Sequence, residues 1–203
     1  MSYDKICEAV FRRLIKEGIN DAPNTKDLAC AYEKGVHNSW AFVYRTNRGE
    51  VSRDNLRDVG VAFIQIVKPE WDCADAWEVV LVAGDGKYAY GMGYALAPSG
   101  ILMPDRQLVS KPARAAWLGQ YQAGRESIDL DDYQAPKTPP VWDDCKVYKN
   151  DPEKFILNRA YTASGWEIDA FEDMTSRWDP TQVSLRRAKS LGNELFHDLY
   201  PNR

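Results

Sequence analysis

The sequence predicts an α+β fold, with a small central antiparallel sheet and helices toward the N-terminal and C-terminal ends. Three observations predict it. Apolar residues recur at helical spacing near both ends of the chain, strand-type alternation is concentrated in the middle, and no internal repeat is present. The 203 residues, 44% hydrophobic and 12% aromatic, can bury a core without cross-links, and this composition excludes a disordered chain. One domain over 1–203 is expected, with a loop or linker at 124–140 ahead of a helical C-terminal part.

The elements follow in order. Ile6, Val10 and Leu14, widened by Phe11 and Ile15, form the stripe of a helix over about 3–17, with Ser2 as N-cap and Gly18 past its end. A second helix is expected from Asn24 or Thr25 to Gly35. Trp40, Phe42 and Tyr44 alternate with Ala41, Val43 and Arg45, a strand period, and Thr46 to Gly49 is a turn. Leu56, Val59, Gly60, Phe63 and Val67 recur at helical spacing, although the β-branched run among them leaves a strand open.

Residues 77–83 read as a strand. Strands are also expected over 87–96 and 101–103. Pro112 opens a helix that runs through Tyr121 and that Gly124 closes. Toward the C-terminus, Asp151-Pro152-Glu153 caps a helix. Ser164 and Glu167 have capping-box spacing, and Asp179-Pro180 starts the last helix, with Leu185, Ala188, Leu191, Leu195 and Leu199 inward.

The stretch GDGKYAYGMGYALAPSG, residues 84–100, carries the sharpest local question. Gly84-Asp85-Gly86-Lys87-Tyr88-Ala89 has the GxGxxA spacing of a dinucleotide loop and follows an apolar strand. That chemistry requires a helix to begin at the second glycine, because the helix N-terminus supplies the N–H groups and dipole that hold phosphate. Gly91 and Gly93 make the following residues a poor helix, so the expectation is a hairpin. In that strand Tyr88, Tyr90 and Tyr94 share one face, and Ala89, Gly91 and Gly93 leave the other bare. A bare face is either covered by another element of the chain or open to a ligand or partner. Tyr88, Tyr90, Gly91, Gly93 and Tyr94 are therefore the binding candidates.

Catalytic signals are weak. His37 and His197 are the two histidines, and neither sits in a nucleophile motif, although His37 and Ser39 are close in sequence. Glu167 and Asp169 form an ExD pair, but a capping box and a helix dipole already explain them. His37, Glu167 and Asp169 are the candidates for an acid–base site. HExxH, CxxC and EF-hand spacings are missing, so neither a metal nor a cofactor is expected, and Asp129, Asp131 and Asp132 read as a solvated acidic loop.

Arg12 and Arg13 on the first helix, with Arg186 and Arg187 on the last, make one basic patch if the two helices are neighbours. A net charge of −4 disfavours nucleic acid and anionic membrane as partners. The charged N-terminus has no leader-like apolar core, no stretch approaches a membrane span, and the four cysteines are scattered. A cytoplasmic protein with all thiols reduced is the expectation. Two function classes follow: a non-catalytic binding or inhibitory protein recognising another protein through an aromatic-rich surface, or a small hydrolase or transferase whose carboxylate/His site is assembled from distant segments. A small-molecule ligand is the second partner class.

Overall fold

The computed structural model describes residues 24–69, 73–106, 108–130, 145, 150–181 and 183–200. Seven strands form one mixed sheet, and helices pack on both of its faces, so the fold is α+β. The strands are β1 (Leu28–Lys34), β2 (Asn38–Arg45), β3 (Gly60–Val67), β4 (Trp77–Gly84), β5 (Ile101–Pro104), β6 (Ser127–Asp129) and β7 (Arg159–Thr162). Their order across the sheet is β1-β2-β3-β4-β5-β7-β6, antiparallel except for the parallel pair β4–β5. The helices are α1 (Leu56–Val59), α2 (Gly86–Leu96), α3 (Lys111–Gln122), α4 (Lys154–Leu157), α5 (Trp166–Thr175) and α6 (Leu185–Leu199).

One face of the sheet carries Cys30, Ala41, Val43, Ile64 and Val79 beneath α2 and α5, with Trp117 of α3 and Tyr161 stacked at 5.2 Å. The other carries Ala29, Ala31, Trp40, Phe42, Tyr44 and Phe63 beneath α6, whose Ala188, Leu191 and Leu195 point inward. Gly192 lets α6 approach closely, because a Cβ there would lie 2.1 Å from the Phe63 ring. A third, smaller cluster of Cys73, Ala76, Met103, Leu130, Cys145 and Ala160 lies at the β5–β7 end.

Several expectations are met. β2, β4 and β5 fall where strands are expected, and α3 begins with Pro112 in its first turn under a Ser110 cap. Gly124, at φ +71, ends α3 in a Schellman geometry: its N–H donates to Tyr121 O and that of Arg125 to Gln120 O.

Other expectations are corrected. Residues 28–34 are strand β1 rather than helix; they lie between α5 and α6, and burial on both faces erases alternation. Residues 60–67 are strand, preceded by only one helical turn at 56–59. The sheet is larger than the small antiparallel one expected, since α2 provides the crossover that a parallel pair requires. The last helix starts at Leu185 under a Ser184 cap, not at Asp179. Leu185 is exposed, whereas Ala188, Leu191 and Leu195 are buried as expected. Cys73 and Cys145 form a disulfide, so the four cysteines are not all reduced. Cys30 is a free, fully buried thiol, and burial pushes its pKa well up. The helix expected over 3–17, with Arg12 and Arg13, lies outside the described residues, as do Cys7, Asp131 and Asp132.

Candidate functional site

The largest correction concerns residues 87–96, which form helix α2 and not a strand. Asp85 caps it, accepting the Lys87 N–H at 2.9 Å. The two glycines that argued against a helix are the two that let it pack. A Cβ on Gly91 would meet the Trp166 ring of α5 at 2.8 Å, and one on Gly93 would meet Ile64 at 2.6 Å and Leu102 at 2.9 Å. The bare surface is thus covered by the same chain. Tyr90, Gly91, Gly93 and Tyr94 are buried, while Tyr88 is half-buried and donates through its hydroxyl to Asn24 O at 3.0 Å. Only Tyr88 of the binding candidates therefore reaches the surface.

The acid–base candidates do not converge. His37 is exposed at the β1–β2 turn, where its carbonyl accepts from Lys68 N–H. Ser39, proposed beside it, exchanges hydrogen bonds with Gly35 instead. Asp169 is exposed on α5. Glu167 is fully buried and paired with Arg125 at 2.7 Å; Ser164 Oγ donates to its other oxygen at 2.8 Å. The expected capping box is therefore replaced by a side-chain pair. Arg125 also donates to Thr162 O and lies 4.5 Å over the Tyr94 ring, and the Tyr94 hydroxyl donates to Gln120. Gln120 Nε2, Arg125 Nε and Trp166 Nε1 have no hydrogen-bond partner among the described residues. This knot ties α2, α3 and α5 together beneath the surface. Arg186 and Arg187 are exposed on α6, and Arg187 donates to Val51 O.

A different place gathers the features of a site. β4 pairs with β5 only over Trp77↔Leu102, Glu78↔Met103 and Val79↔Pro104, then continues alone on that side to Gly84 among the described residues. Five residues at about 3.3 Å each leave a strand edge of roughly 16 Å above the end of β5. A bulge marks its start: Gln65 pairs with Leu81 and Ile66 with Val79, so Val80 is the extra residue. Val80 is 37% exposed, and Leu81 and Val82 are half-buried. At the lower end, Glu78 Oε1 accepts the backbone N–H of Arg106 at 2.6 Å. Burial pushes the Glu78 carboxyl above the usual carboxylate range, and that hydrogen bond opposes the shift.

At the upper end stands the β4–α2 turn. Gly84 has φ +76, and a Cβ there would lie 2.2 Å from Val61 O, which accepts the Asp85 N–H at 2.9 Å. Gly84 is thus required by both conformation and contact. Gly86 is required by neither: its φ is not left-handed, and among the described residues a Cβ would meet nothing nearer than the Tyr90 ring at 3.8 Å. Ala89 is buried against the sheet. The crossover α2 returns the chain to a parallel strand, so the β4 edge, the turn, the α2 N-terminus and the end of β5 lie together at the carboxyl ends of the parallel pair, the place where open sheets form a crevice. Asp105 follows β5 directly and accepts the Leu108 N–H at 3.0 Å.

Among the described residues, no three His, Cys, Asp or Glu side chains gather as metal ligands, and no helix is long and apolar enough to cross a membrane. Compared with known protein families, curated proteins and solved structures, the chain has no match.

Proposed function

We propose that this protein is a binding protein whose site is the β4–β5 crevice, and that its ligand is elongated, with a phosphate-type group at the first turn of α2 and an uncharged portion along the β4 edge. One observation carries the reading. The GxGxxA stretch lies between a strand and a helix that returns to a parallel strand, and its three small positions divide the work such a turn needs. Gly84 makes the tight turn, Ala89 packs the helix on the sheet, and Gly86 leaves the approach to the helix open. Ligands of open sheets sit outside the carboxyl ends of parallel strands, which is where this crevice lies.

Asp85 opposes an anion at the same turn. Asp85→Asn keeps an N-cap and removes the charge, so it should tighten binding of adenosine diphosphate, used as a probe. Gly86→Ala should weaken binding by about ten-fold through steric contact, leaving stability within about 0.5 kcal/mol. Isothermal titration against both variants checks the pair; equal affinities in wild type and both variants would sink the reading.

A second reading keeps macromolecular recognition through aromatics. Its support is the exposed pair Tyr121 and Phe155, edge to face at 5.5 Å, with the Arg159 guanidinium 5.5 Å from the Tyr121 ring. Tyr121→Ala with Phe155→Ala should then abolish capture of a protein partner without altering adenosine diphosphate binding. The enzyme alternative would draw on Glu78, whose raised pKa suits acid–base work at the crevice floor. A cytoplasmic location has to accommodate the Cys73–Cys145 disulfide, because disulfides of reducing compartments are usually transient, catalytic or sensing.

A further inference from the structure

We propose that the Cys73–Cys145 disulfide is a redox-operated clamp on the floor of the β4–β5 crevice. Its effect on a ligand rests on the binding function proposed above; its effect on the floor does not.

The disulfide joins two points 72 residues apart, and each is one step from the floor. On one side, Cys73 precedes β4 by a single turn. Ala74 and Asp75, at φ 58 and 56, both lie in the left-handed region that non-glycine residues rarely adopt. Surrounding bonds hold that turn: Ala76 N–H donates to Cys73 O, and Ser99 Oγ donates to Asp75 O. Trp77 and Glu78 follow immediately as the first residues of β4. On the other side, Cys145 O accepts from Arg106 Nη2 at 2.9 Å. The same guanidinium donates to Leu157 O at 3.0 Å and Asn158 Oδ1 at 3.2 Å, and the backbone N–H of Arg106 holds Glu78. The disulfide, Arg106 and Glu78 therefore close a ring: Cys73 to β4, Glu78 to Arg106, Arg106 to Cys145, and Cys145 back to Cys73.

Two features make this ring a local device. Its sulfurs belong to the small cluster with Ala76, Met103, Leu130 and Ala160, separate from the two large cores. Breaking the bond therefore unlocks the floor and leaves the β1–β4 core in place. In addition, Cys30 is buried on a different face of the sheet, so it is not placed to exchange with the pair. The sulfurs are themselves buried, so reduction waits on local opening.

The chemistry is a two-electron exchange. A dithiol reductant attacks one sulfur as thiolate, forming a mixed disulfide and releasing the other cysteine. Its second thiolate then displaces the first cysteine. Two thiols result, with the protons supplied by the dithiol, which leaves oxidised as its own disulfide. Released, the Ala74–Asp75 turn can leave its left-handed conformation, and the Arg106 anchor on Cys145 is lost.

The test is hydrogen exchange followed by mass spectrometry on the full chain, oxidised and after dithiothreitol. Cys73→Ser serves as a non-reducible reference and Arg106→Gln as a variant with the disulfide intact. Reduction, and each variant, should lower protection about ten-fold or more in peptides covering 74–79 and 104–106, with 39–45 and 186–195 unchanged. Unchanged exchange at 74–79 and 104–106 on reduction overturns the clamp, and so does an equal loss over all four peptides, the signature of a global staple. In a parallel titration, adenosine diphosphate should bind several-fold more weakly to the reduced protein. Failure to bind either form defeats the crevice reading, while the exchange data still decide the clamp. Equal binding to both forms overturns the clamp's hold on the ligand.

Discussion

Strands β1–β4 lie between two apolar layers, α2 with α5 on one face and α6 on the other, whereas β5–β7 are short and add bracing arginines to the Trp117–Tyr161 stack and a small apolar cluster. The second group has strands of three or four residues, which make few ladder bonds. Guanidinium groups add to them. Arg106 serves the carbonyls of Leu157 and Cys145, Arg125 that of Thr162, Arg114 that of Val109, and Arg159 that of Phe155. Each of the last three also meets a carboxylate: Glu167, Asp151 with Glu153, and Asp129 respectively. On the β1–β4 side, the ion pairs Arg53–Glu194 and Arg57–Asp198 are longer, at 3.6 and 3.8 Å, with exposed arginines, although Arg177, paired with Asp173 and donating to Thr25 O and Leu28 O, repeats the device at the start of β1. Apolar layers resist loss of a single contact; an arginine serving two partners does not, because its removal leaves carbonyls and, at Arg125, a buried carboxylate unsatisfied.

The contrast can be broken most directly at Arg125. Arg125→Ala leaves the fully buried Glu167 without its cation and should cost about 4 kcal/mol. Arg125→Ala combined with Glu167→Gln should recover part of that loss. Urea denaturation measures both, and a single-variant loss below 1 kcal/mol would remove the distinction between the halves.

On the apolar side the vulnerable point is steric. Gly192→Ala drives a methyl group into the wholly buried Phe63 ring and should cost about 3 kcal/mol. Gly91→Ala, against the half-buried Trp166 ring, should cost about 1–2 kcal/mol. Thermal melts should rank the two in that order.

The smallest effect sharpens the contrast through pH. Arg114 holds the Asp151 carboxyl below its usual range, chiefly by a hydrogen bond. Folding therefore binds fewer protons there than the unfolded chain does. The resulting stability is present above the unfolded value near 3.9 and is lost as pH falls through the lower folded value. Asp151→Asn should lower stability at pH 7 and flatten the acid limb below about pH 4, leaving less to lose. An acid limb identical to wild type would show that the pair contributes nothing.

Legibility in the sequence follows the same division. β2 could be read from alternation, β4 from its strand-like run, α3 from Pro112 and Gly124, and α5 from the Ser164–Glu167 spacing at its start. β1 could not, since a strand covered on both faces has no polar period, and Leu28-Ala29-Cys30-Ala31 presents none. α2 was hidden by Gly91 and Gly93. Intrinsic propensity counts each as a cost of about 1 kcal/mol, but packing against Trp166, Ile64 and Leu102 requires them. The GxGxxA spacing was visible; the helix that gives it meaning was not. The crevice itself has no sequence signature, because it arises where β5 stops and β4 continues. The disulfide was equally hidden, since two cysteines 72 residues apart carry no motif.

The bulge at Val80 has a consequence for side-chain parity. Trp77 and Val79 face the α2 side, and so does Val82, an odd number of steps beyond Val79. The extra residue acts as a frame shift in the strand's alternation. Deleting Val80 would leave Val79 opposite Ile66 and Leu81 opposite Gln65 in uninterrupted register, so Leu81 and Ala83 would still face away from α2, and Glu78 and Gly84 would keep their partners Val67 and Ala62. What would go is the local bend and added twist of the bulged strand, so one inserted residue sets the angle between the two ends of the crevice and not the face its side chains occupy.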